Sequence, residues 1–416
     1  MKINSIDSFL ITLPFRLSFK HSLAARDHSE NLIVRVTIQD GAKTYVGFGE
    51  GIPRDYVTGE NPAGALSAVA KEYAPLLLGR SFQRPAEIIE ILSSSWAQLK
   101  LHGRPQGASW CALELALLDA AGKCAGKTVS ELVLSSDVTG AGSDLTGSDL
   151  TGTDVRHEIP DAITYGAVVP FGGKKALAAI LWFYKAYGFK TVKIKVGKDL
   201  ELDLHRLRIA RSVLGSGVAI RVDANCAWTF DQTIHAAEQM RNYGVKSYEQ
   251  PIPADRLEEL AAITKILPEQ VLADESLCTV DDARYLAENK IVSAFNIRIS
   301  KVGGILAARQ ISEIARQHGI ACHMGAQVGE SGILSAAGRA YAAIEPRFEN
   351  YEGSNNFFLL KQDITDENLN VGFGGKGKVL KTSGLGVNVK NQRLQQFINP
   401  ETVSDLQPPL VPERIV

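Results

Sequence analysis

The hydrophobic pattern of the first 134 residues changes period once. Up to about residue 60, apolar and polar positions alternate, as in "NLIVRVTIQD" and "TYVGFGEGI", and this predicts a meander of β-strands. From about 62 to 134, apolar residues recur at intervals of three and four, as in "SWCALELALLDAAGKCAG", and this predicts helices. We therefore expect an α+β domain over residues 1–134.

A segment of different composition follows. "SSDVTGAGSDLTGSDLTGTDV" repeats a five-residue unit that is rich in Gly, Ser, Thr and Asp and almost free of apolar residues. Such a segment has too little apolar surface to form a core of its own. We expect residues 135–158 to be a flexible surface insertion without chemistry.

The pattern after the insertion alternates between strand and helix. Short apolar, strand-like runs are separated by amphipathic helical stretches such as "DLHRLRIARSVLG". The runs are "AITYGAVV", "KTVKIKV", "VAIRVDA", "KSYEQP", "QVLADES", "VSAFNIRIS", "IACHMGA" and "RFENYEG". About eight repeats within roughly 200 residues predict a parallel (β/α)8-type barrel, a modified TIM barrel, over residues 159–365.

The tail, residues 366–416, again contains strand and turn signals, as in "KVLKTSGLGVNVK". We expect it to return to the first domain. The predicted fold class is therefore α/β: a (β/α)8-type barrel with an α+β capping domain formed by the N-terminal region and the C-terminal tail.

Composition narrows the classes of function. The formal net charge is −1, so no basic surplus favours binding to nucleic acid or to an anionic membrane. No apolar run approaches the roughly 20 residues of a membrane helix, and the N-terminus lacks the apolar core of a signal peptide. The five cysteines are scattered and form no CxxC pair, which favours a reducing cytoplasm.

Charged residues stand at the ends of successive predicted barrel strands. Lys195, Asp223, Glu249, Asp274 and Arg298 are spaced by 24 to 28 residues, about one β/α unit each, and Lys301 follows Arg298. The carboxyl ends of barrel strands meet at one mouth, where barrel enzymes place their chemistry. We expect these side chains to form a ring there.

The three acids of this ring predict a metal site. Divalent magnesium prefers oxygen ligands, and three close carboxylates without a cation would repel one another. Each acid alone is equally consistent with a helix cap, since Asp often caps the helix after a strand. Three acids in register beside paired lysines favour the metal site.

The strand "KTVKIKVG" places Lys193 and Lys195 on one face and Val192, Ile194 and Val196 on the other. A solvated strand face is the simple alternative. Inside a barrel, however, each ammonium disfavours the charge of the other. At about 5 Å and an effective dielectric near 20, a like charge costs roughly 3 kcal/mol.

The combination of "KIK", "DAN", "EQP", "DES" and "KVGG" behind an α+β domain resembles the enolase superfamily, and within it the mandelate racemase/muconate-lactonising-enzyme subgroup. The resemblance implies that Asp223, Glu249 and Asp274 bind Mg²⁺ or Mn²⁺. It implies that Lys195, beside Lys193, is the general base that removes the α-proton of a carboxylate substrate through an enediolate intermediate. Lys195 must be neutral to act as a base, and Lys193 and the metal both disfavour its charged form.

The second base of the family usually lies on the sixth strand, in a segment like "NIKxxKxGG". Here the segment is "NIRISKVGG", so Arg298 stands at that position, and strand alternation predicts that Asn296, Arg298 and Ser300 share a face. Arginine does not deprotonate at accessible pH, but it can grip a carboxylate or stabilise an enolate. The substitution favours a one-base reaction, either muconate-type cycloisomerisation or syn-elimination.

Two alternatives stay open. If a bulge breaks the strand alternation, Lys301 reaches the site, and the protein is a racemase or epimerase of amino-acid derivatives or dipeptides that uses Lys195 and Lys301. A different class is a non-catalytic, carboxylate-binding barrel in which the arginine marks lost chemistry.

Further candidates are expected to contact the substrate or to support the ring, although each is equally consistent with packing or a solvated loop. They are Asn225, Glu275, His323, Gln327, Glu330 and Glu352 in the barrel, and His21, Arg26 and His28 in a predicted lid loop of the cap. Dipeptide epimerases show two aspartates one residue apart on the eighth strand, where this chain has Glu352 and Ser354. The expected partner is a small-molecule carboxylate, and a homo-oligomer is expected by analogy alone.

Overall fold

The computed structural model describes residues 1–20, 25–102, 106–137, 159–171, 174–345, 347–354 and 356–400. The predicted insertion at 135–158 lies outside these ranges except for its first three residues, and so does His21. The domain boundaries placed at the ends of that insertion therefore stay a prediction.

An antiparallel sheet of three strands begins the chain. Its strands are β1 (Lys2–Lys20), β2 (Ala25–Asp40) and β3 (Lys43–Gly51), in the order β1-β2-β3. The register pairs Phe9 with Ile33 and Val36 with Gly47. Period-two alternation predicted these strands, and the structure confirms them.

Helices cover this sheet and complete the cap. They are α1 (Asp55–Thr58), α2 (Pro62–Ala68), α3 (Ala74–Leu77), α4 (Glu87–His102), α5 (Gly107–Ala125) and α6 (Val129–Asp137), and a π-helical turn, Val69–Tyr73, joins α2 to α3. Helix α5 is buried along most of its length. It lies directly on β3, where a Cβ atom at Gly47, Gly49 or Gly51 would overlap the α5 backbone. The alternate glycines of "VGFGEG" thus permit the close approach of helix to sheet.

Eight parallel strands form one curled sheet in sequential order, β12-β11-β10-β9-β8-β7-β6-β5. The strands are β5 (Ala167–Val169), β6 (Thr191–Lys195), β7 (Ala219–Asp223), β8 (Val245–Glu249), β9 (Gln270–Ala273), β10 (Ala294–Ile297), β11 (Ala321–Met324) and β12 (Asn350–Tyr351). Seven of them lie within the runs predicted from the sequence, and β8 begins one residue before its run, at Val245. The first run is divided, because β4 (Ala162–Thr164) leaves the barrel and pairs antiparallel with β13 (Lys376–Lys378).

Helices alternate with these strands, which confirms the (β/α)8-type barrel. They are α7 (Lys174–Ala186), α8 (Leu200–Leu214), α9 (Phe230–Met240), α10 (Leu257–Ile266), α11 (Val280–Glu288), α12 (Ile299–Val302), α13 (Ile305–Gln317) and α14 (Gly332–Ile344), followed by α15 (Asn356–Leu359) and α16 (Asn391–Phe397). Short 3₁₀ turns span Arg241–Tyr243 and Phe373–Gly375. The N–H of Gly166, next to β5, donates to the carbonyl of Tyr351 in β12 (2.8 Å) and so links the two ends of the sheet.

The C-terminal tail returns to the cap, as predicted. Ile398 bridges to Ile11 of β1, and the N–H of Asn399 donates to the carbonyl of Leu10 (3.0 Å). Within the described ranges, no helix combines the length and hydropathy that a membrane span needs.

Candidate functional site

Strand β6 directs its two lysines into the barrel. Val192, Ile194 and Val196 are fully buried on the opposite face, whereas Lys193 and Lys195 are 3% and 7% exposed at the barrel mouth. The lysines therefore do not lie on a solvated strand face. Burying two ammonium groups requires acceptors that compensate for the lost hydration.

Parallel register brings the acidic residues to the lysines. Lys195 of β6 is the register partner of Asp223 in β7, which in turn pairs with Glu249 in β8. Asp274 follows the last residue of β9. All three carboxylates are buried. Since the strand ends lie side by side, residues 24 to 28 positions apart in sequence become neighbours.

None of the three acids caps a helix. The N-cap of α9 is Thr229, that of α10 is Arg256 and that of α11 is Thr279. Both threonines receive their capping hydrogen bond from the third residue of the helix. The acids lie several residues before these caps, so helix capping does not account for them.

Each lysine of β6 has its own acidic partners. Lys195 Nζ donates to Asp223 Oδ2 (2.5 Å) and to Asn225 Oδ1 (2.7 Å). Lys193 Nζ lies between Glu249 (3.0 Å) and Glu352 (2.6 Å). Burial alone disfavours the Lys193 ammonium, but the carboxylates of Glu249, Glu352 and Asp223 outweigh it and hold the pKa of Lys193 above its usual value. These carboxylates therefore favour the protonated form of Lys193.

Glu352 is neutralised by two cations. Its Oε2 contacts Lys193, and its Oε1 accepts from Arg221 Nη2 (2.6 Å). Burial opposes ionisation, but Lys193 and Arg221 outweigh it and lower the pKa of Glu352 to about 2. Arg221 was not predicted from the sequence, although it lies two residues before Asp223 on the same strand face.

The sixth barrel strand ends earlier than predicted. Strand β10 stops at Ile297, Arg298 is the extended N-cap residue of α12, and Ser300 lies in that helical turn. The prediction that Asn296, Arg298 and Ser300 share one strand face is wrong for Ser300, whose hydroxyl accepts instead from the cap N–H of Ile52 (2.8 Å). The Arg298 guanidinium contacts Asp274 Oδ2.

The same helical turn carries Lys301 to the ring without a bulge. Its side chain is completely buried, and Nζ donates to Asp274 Oδ1 (2.8 Å) and to the backbone carbonyls of Asp274 (2.5 Å) and Asn296 (3.1 Å). Burial lowers the pKa of Lys301 to about 8. Three oxygens surround the ammonium, which matches its three donors.

The glycines of "KVGG" allow this turn to pack under the cap. Gly303 and Gly304 have φ values of +98° and +106°, which favour glycine. A Cβ atom on Gly304 would overlap the carboxylate of Glu114 in α5, whose Oε1 accepts from the N–H of Leu306 (3.1 Å). The motif therefore fixes how the cap sits on the sixth strand.

One cavity of about 610 Å³ opens over the ring. Lys193, Lys195 and Arg298 line it, as do Asn225, Glu275, Gln327, Glu330, Glu352 and Ser354. Lys301 does not line the cavity, and neither do Asp223, Glu249 and Asp274; the Lys301 Nζ contacts Asp274. Of the four cationic side chains predicted for the site, three therefore line the cavity.

Three candidates were predicted on the seventh strand and the loop after it. Two of them line this cavity and the third does not. Gln327 and Glu330 do, and the N–H of Gln327 donates to Glu330 Oε1 (2.6 Å). Burial raises the pKa of Glu330 to about 8, which favours its neutral form at pH 7. His323 is buried against Arg221 (3.2 Å) and Asn350 (3.3 Å), away from the cavity lining.

The cap contributes Arg26, Arg54 and Tyr56 to the cavity wall. Arg26 lies over the Tyr56 ring at 5.8 Å. His28 instead pairs with Asp27 (2.7 Å) and does not line the cavity. Arg54 and Tyr56 were missed, because the "PRDYV" segment carries no periodic signal that separates it from an ordinary loop.

Asn225 and Glu275 support the ring. Asn225 has a positive φ of +45°, and its Nδ2 donates to Glu275 Oε1 (3.1 Å). Burial and the Asp223 carboxylate raise the pKa of Glu275. The strained backbone of Asn225 turns its amide back toward Lys195.

The donor set fits a hard divalent cation. In the described part of the chain, no three His, Cys, Asp or Glu side chains approach closely enough to hold a metal ion, since each carboxylate contacts a cationic side chain instead. Asp274 Oδ2 is buried and contacts the Arg298 guanidinium. A set of three carboxylates offers the oxygen ligands that Mg²⁺ or Mn²⁺ prefers. Binding requires Lys195 and Arg298 to move off these oxygens.

The fold and the site together define a barrel enzyme with a capped, charged mouth. The sequence profile of the family described as "Enolase C-terminal domain-like" matches residues 176–393. The chain belongs to this family, the enolase superfamily.

Known relatives share nearly the whole chain. The L-Ala-D/L-Glu epimerase of Bacillus subtilis (strain 168) is 30% identical over 341 residues, which cover 81% of this chain and 84% of the relative. The structure of muconate lactonizing enzyme from Pseudomonas fluorescens, complexed with muconolactone, matches with a TM-score of 0.82 and 25% identity, over 95% of this chain and 99% of that one.

A dipeptide epimerase from Enterococcus faecalis V583, solved with Mg and the dipeptide L-Leu-L-Tyr, shares the fold. Its TM-score is 0.78 at 24% identity, over 93% of this chain and all of that one. Because the chain is an enolase-superfamily enzyme, the non-catalytic barrel is set aside.

Proposed function

We propose that this enzyme removes the α-proton of a small-molecule carboxylate with Lys195 as its single general base, in a cycloisomerisation or syn-elimination of the muconate cycloisomerase type. The observation that carries the proposal is the arrangement of the four cations. Lys193, Lys195 and Arg298 line the cavity, whereas Lys301 does not line it and contacts Asp274. Of the three that line it, only Lys195 is able to serve as the base.

The other two cations of the cavity are unsuited to proton transfer. Lys193 is held protonated by the carboxylates around it. Arg298 does not deprotonate at accessible pH. Strands β6 and β10 are the second and sixth of eight in the barrel, so Lys195 and Arg298 face each other across the mouth. Arg298 can therefore stabilise negative charge on the side of the substrate opposite the base.

We further propose that Asp223, Glu249 and Asp274 hold Mg²⁺ or Mn²⁺. When bound, the cation would stabilise the negative charge that develops on the substrate carboxylate as the α-proton leaves.

Formal charges around the mouth support this assignment. The charged ring consists of five acids and five cations: Asp223, Glu249, Asp274, Glu275 and Glu352 with Lys193, Lys195, Arg221, Arg298 and Lys301. Its formal charge is zero with Lys195 protonated and −1 with Lys195 neutral. A dication and a substrate monoanion then bring the total to zero. The site is therefore balanced in the state in which Lys195 is ready to accept a proton.

A racemase or epimerase of amino-acid derivatives is the second candidate, because the Bacillus subtilis relative is an epimerase. This reaction needs a proton donor or acceptor on each face of the α-carbon, and Lys301 would have to leave three oxygens to reach the cavity. A dipeptide substrate is disfavoured further. Both oxygens of Glu352 are occupied by cations, and Ser354 offers no carboxylate for a free ammonium group.

Exchange in deuterium oxide separates these functions. Acid sugars, N-acyl amino acids, dipeptides and muconate-like acids are incubated with the enzyme and Mg²⁺, and mass change and product formation are followed. The proposed function predicts a cyclised or eliminated product without the α-epimer. Deuterium in both the recovered substrate and its epimer would establish the second candidate instead.

Two lysine variants make the test specific. Lys195→Ala should abolish turnover, by about 10²- to 10⁴-fold. Lys190→Ala removes an exposed lysine just before β6, the strand that carries Lys195, and should leave turnover unchanged.

We also place the enzyme in the cytoplasm, because its five cysteines, which all lie in the described ranges, form no disulfide.

A further inference from the structure

The cavity over the charged ring continues into an apolar arm. This arm runs along the first barrel helix and is lined by Leu177, Ile180, Phe183, Tyr184, Tyr187 and Phe358. The first four belong to α7, and Phe358 belongs to α15. Leu177 is almost fully buried and Tyr184 contacts β5 through its hydroxyl, whereas Ile180 and Phe183 are partly exposed.

The surface of the arm is apolar. None of its six residues is charged, and its two tyrosines use their hydroxyls elsewhere. Tyr184 Oη donates to the carbonyl of Val168 and Tyr187 Oη to that of Val371, both at 2.9 Å. Both hydroxyls are therefore engaged within the protein. Such a surface rejects a charged group, which would lose its hydration there.

Two of the aromatic rings that line the arm are partly exposed. Phe183 is 43% exposed and Phe358 is 49% exposed, although their ring centroids are only 6.3 Å apart. Phe183 also stacks on Tyr187 with a centroid distance of 5.3 Å. Aromatic side chains gain free energy when apolar matter covers them. A contiguous exposed cluster beside a reactive site indicates a ligand surface.

The cavity is larger than the reacting group requires. About 610 Å³ corresponds to on the order of 20 water-sized groups at roughly 30 Å³ each. A carboxylate and its α-carbon fill only a few of these. The remaining space includes the apolar arm, so the cavity has room for a substrate that extends beyond its reacting end.

We propose that the apolar arm binds an uncharged alkyl or aryl tail of the substrate while the charged ring binds its carboxylate. This inference rests on the proposed function, because the ring must hold the carboxylate end. The substrate class is therefore a carboxylate with a long apolar substituent. A carboxylate at the far end of that substituent would lose its hydration in the arm and is disfavoured there.

Calorimetry with straight-chain carboxylates tests the inference without turnover. Butanoate, hexanoate and octanoate are titrated into the Mg²⁺-loaded enzyme, and affinity should rise about fourfold per added methylene group. Octanedioate has the same length as octanoate but a charged end, and it should bind at least tenfold more weakly than octanoate. Equal affinity across the series, or equal affinity for the two eight-carbon acids, would overturn the inference.

A pair of neighbouring variants locates the tail. Phe183→Glu places a charge in the arm and should weaken octanoate binding at least tenfold while leaving butanoate unchanged. Trp182→Glu introduces the same charge at the next position, where the side chain is 57% exposed and does not line the cavity. It should bind both acids like the unaltered enzyme. Equal effects of the two variants would contradict the proposed location.

The two proposals fail separately. If the enzyme exchanges no α-proton with any carboxylate, the proposed function is refuted. The dependence of affinity on chain length can still be measured and tests the apolar arm by itself. An enzyme that turns over a short acid, with affinity independent of chain length, would refute only the apolar arm.

Discussion

Replacing Lys301 by methionine distinguishes a buried structural lysine from a second catalytic base. Methionine occupies a similar volume but removes the ammonium, and with it the hydrogen bonds to Asp274 Oδ1, Asp274 O and Asn296 O. The Asp274 carboxylate is itself fully buried. Removing one partner of a buried ion pair costs about 3–5 kcal/mol. We expect the free energy of unfolding to fall by about that amount.

Lys301→Met should impair catalysis by weakening metal binding. Lys301 orients Asp274, which we propose as a metal ligand, and loss of such a supporting contact weakens metal affinity about 10- to 100-fold. Saturating Mg²⁺ should therefore restore most of the turnover of Lys301→Met. Lys195→Ala loses the base itself, and no concentration of Mg²⁺ should restore its activity.

The assay combines two measurements on each variant. Urea unfolding gives the free energy of unfolding, and deuterium incorporation or product formation is followed across a Mg²⁺ titration. Lys190→Met serves as control, because this exposed lysine contributes little to either quantity. If Lys301→Met unfolds like the parent and stays inactive at saturating Mg²⁺, Lys301 is a catalytic base and the single-base reasoning is refuted.

Four further predictions follow from other contacts. Arg298→Lys places an amine across the mouth from Lys195, so deuterium should appear in the α-epimer by chiral chromatography; its complete absence would show that the amine does not reach the substrate. The pKa of Glu352 is depressed to about 2, so the stabilisation that its carboxylate gives the folded state is complete above pH 4.5 and is lost as the pH falls towards 2. In urea titrations, Glu352→Gln should lower the free energy of unfolding by about 3 kcal/mol at pH 7 and by progressively less below pH 4.5. A difference that does not change with pH would contradict the ion pairing. Gly304→Ala would overlap Glu114 and should destabilise by more than about 3 kcal/mol, whereas Gly319→Ala, with a φ of +67° and open space around it, should cost about 1 kcal/mol. Mg²⁺ at 100 times its Kd should add about 2.7 kcal/mol of unfolding free energy that EDTA removes, and no shift would count against the metal site.

Much of the fold was predictable because it depends on local periodicity. The eight barrel strands were each recognised as short apolar runs between amphipathic helices, and parallel order follows from that alternation. The meander of the cap was recognised in the same way. The division of the first run into β4 and β5 was not, because it depends on pairing with β13, more than 200 residues later.

The ring of strand-end residues was predictable for a related reason. In a parallel barrel, equal sequence spacing becomes spatial adjacency, so Lys195, Asp223, Glu249 and Asp274 had to meet at one mouth. His323 shows the limit of such reasoning. It lies on the seventh strand as expected but contacts Arg221 and Asn350, because its position along a four-residue strand places it below the mouth.

The sequence alone thus determined which charged groups gather at the barrel mouth, since strand order and spacing are local properties that parallel pairing converts into contacts. Only the tertiary structure decided which of them face the cavity. Strand β10 ends one residue before Arg298, and the helical turn beneath the cap leaves Arg298 facing the cavity and buries Lys301 against Asp274. The apolar arm likewise arises where α7 and α15 meet, two segments that nothing in local sequence relates.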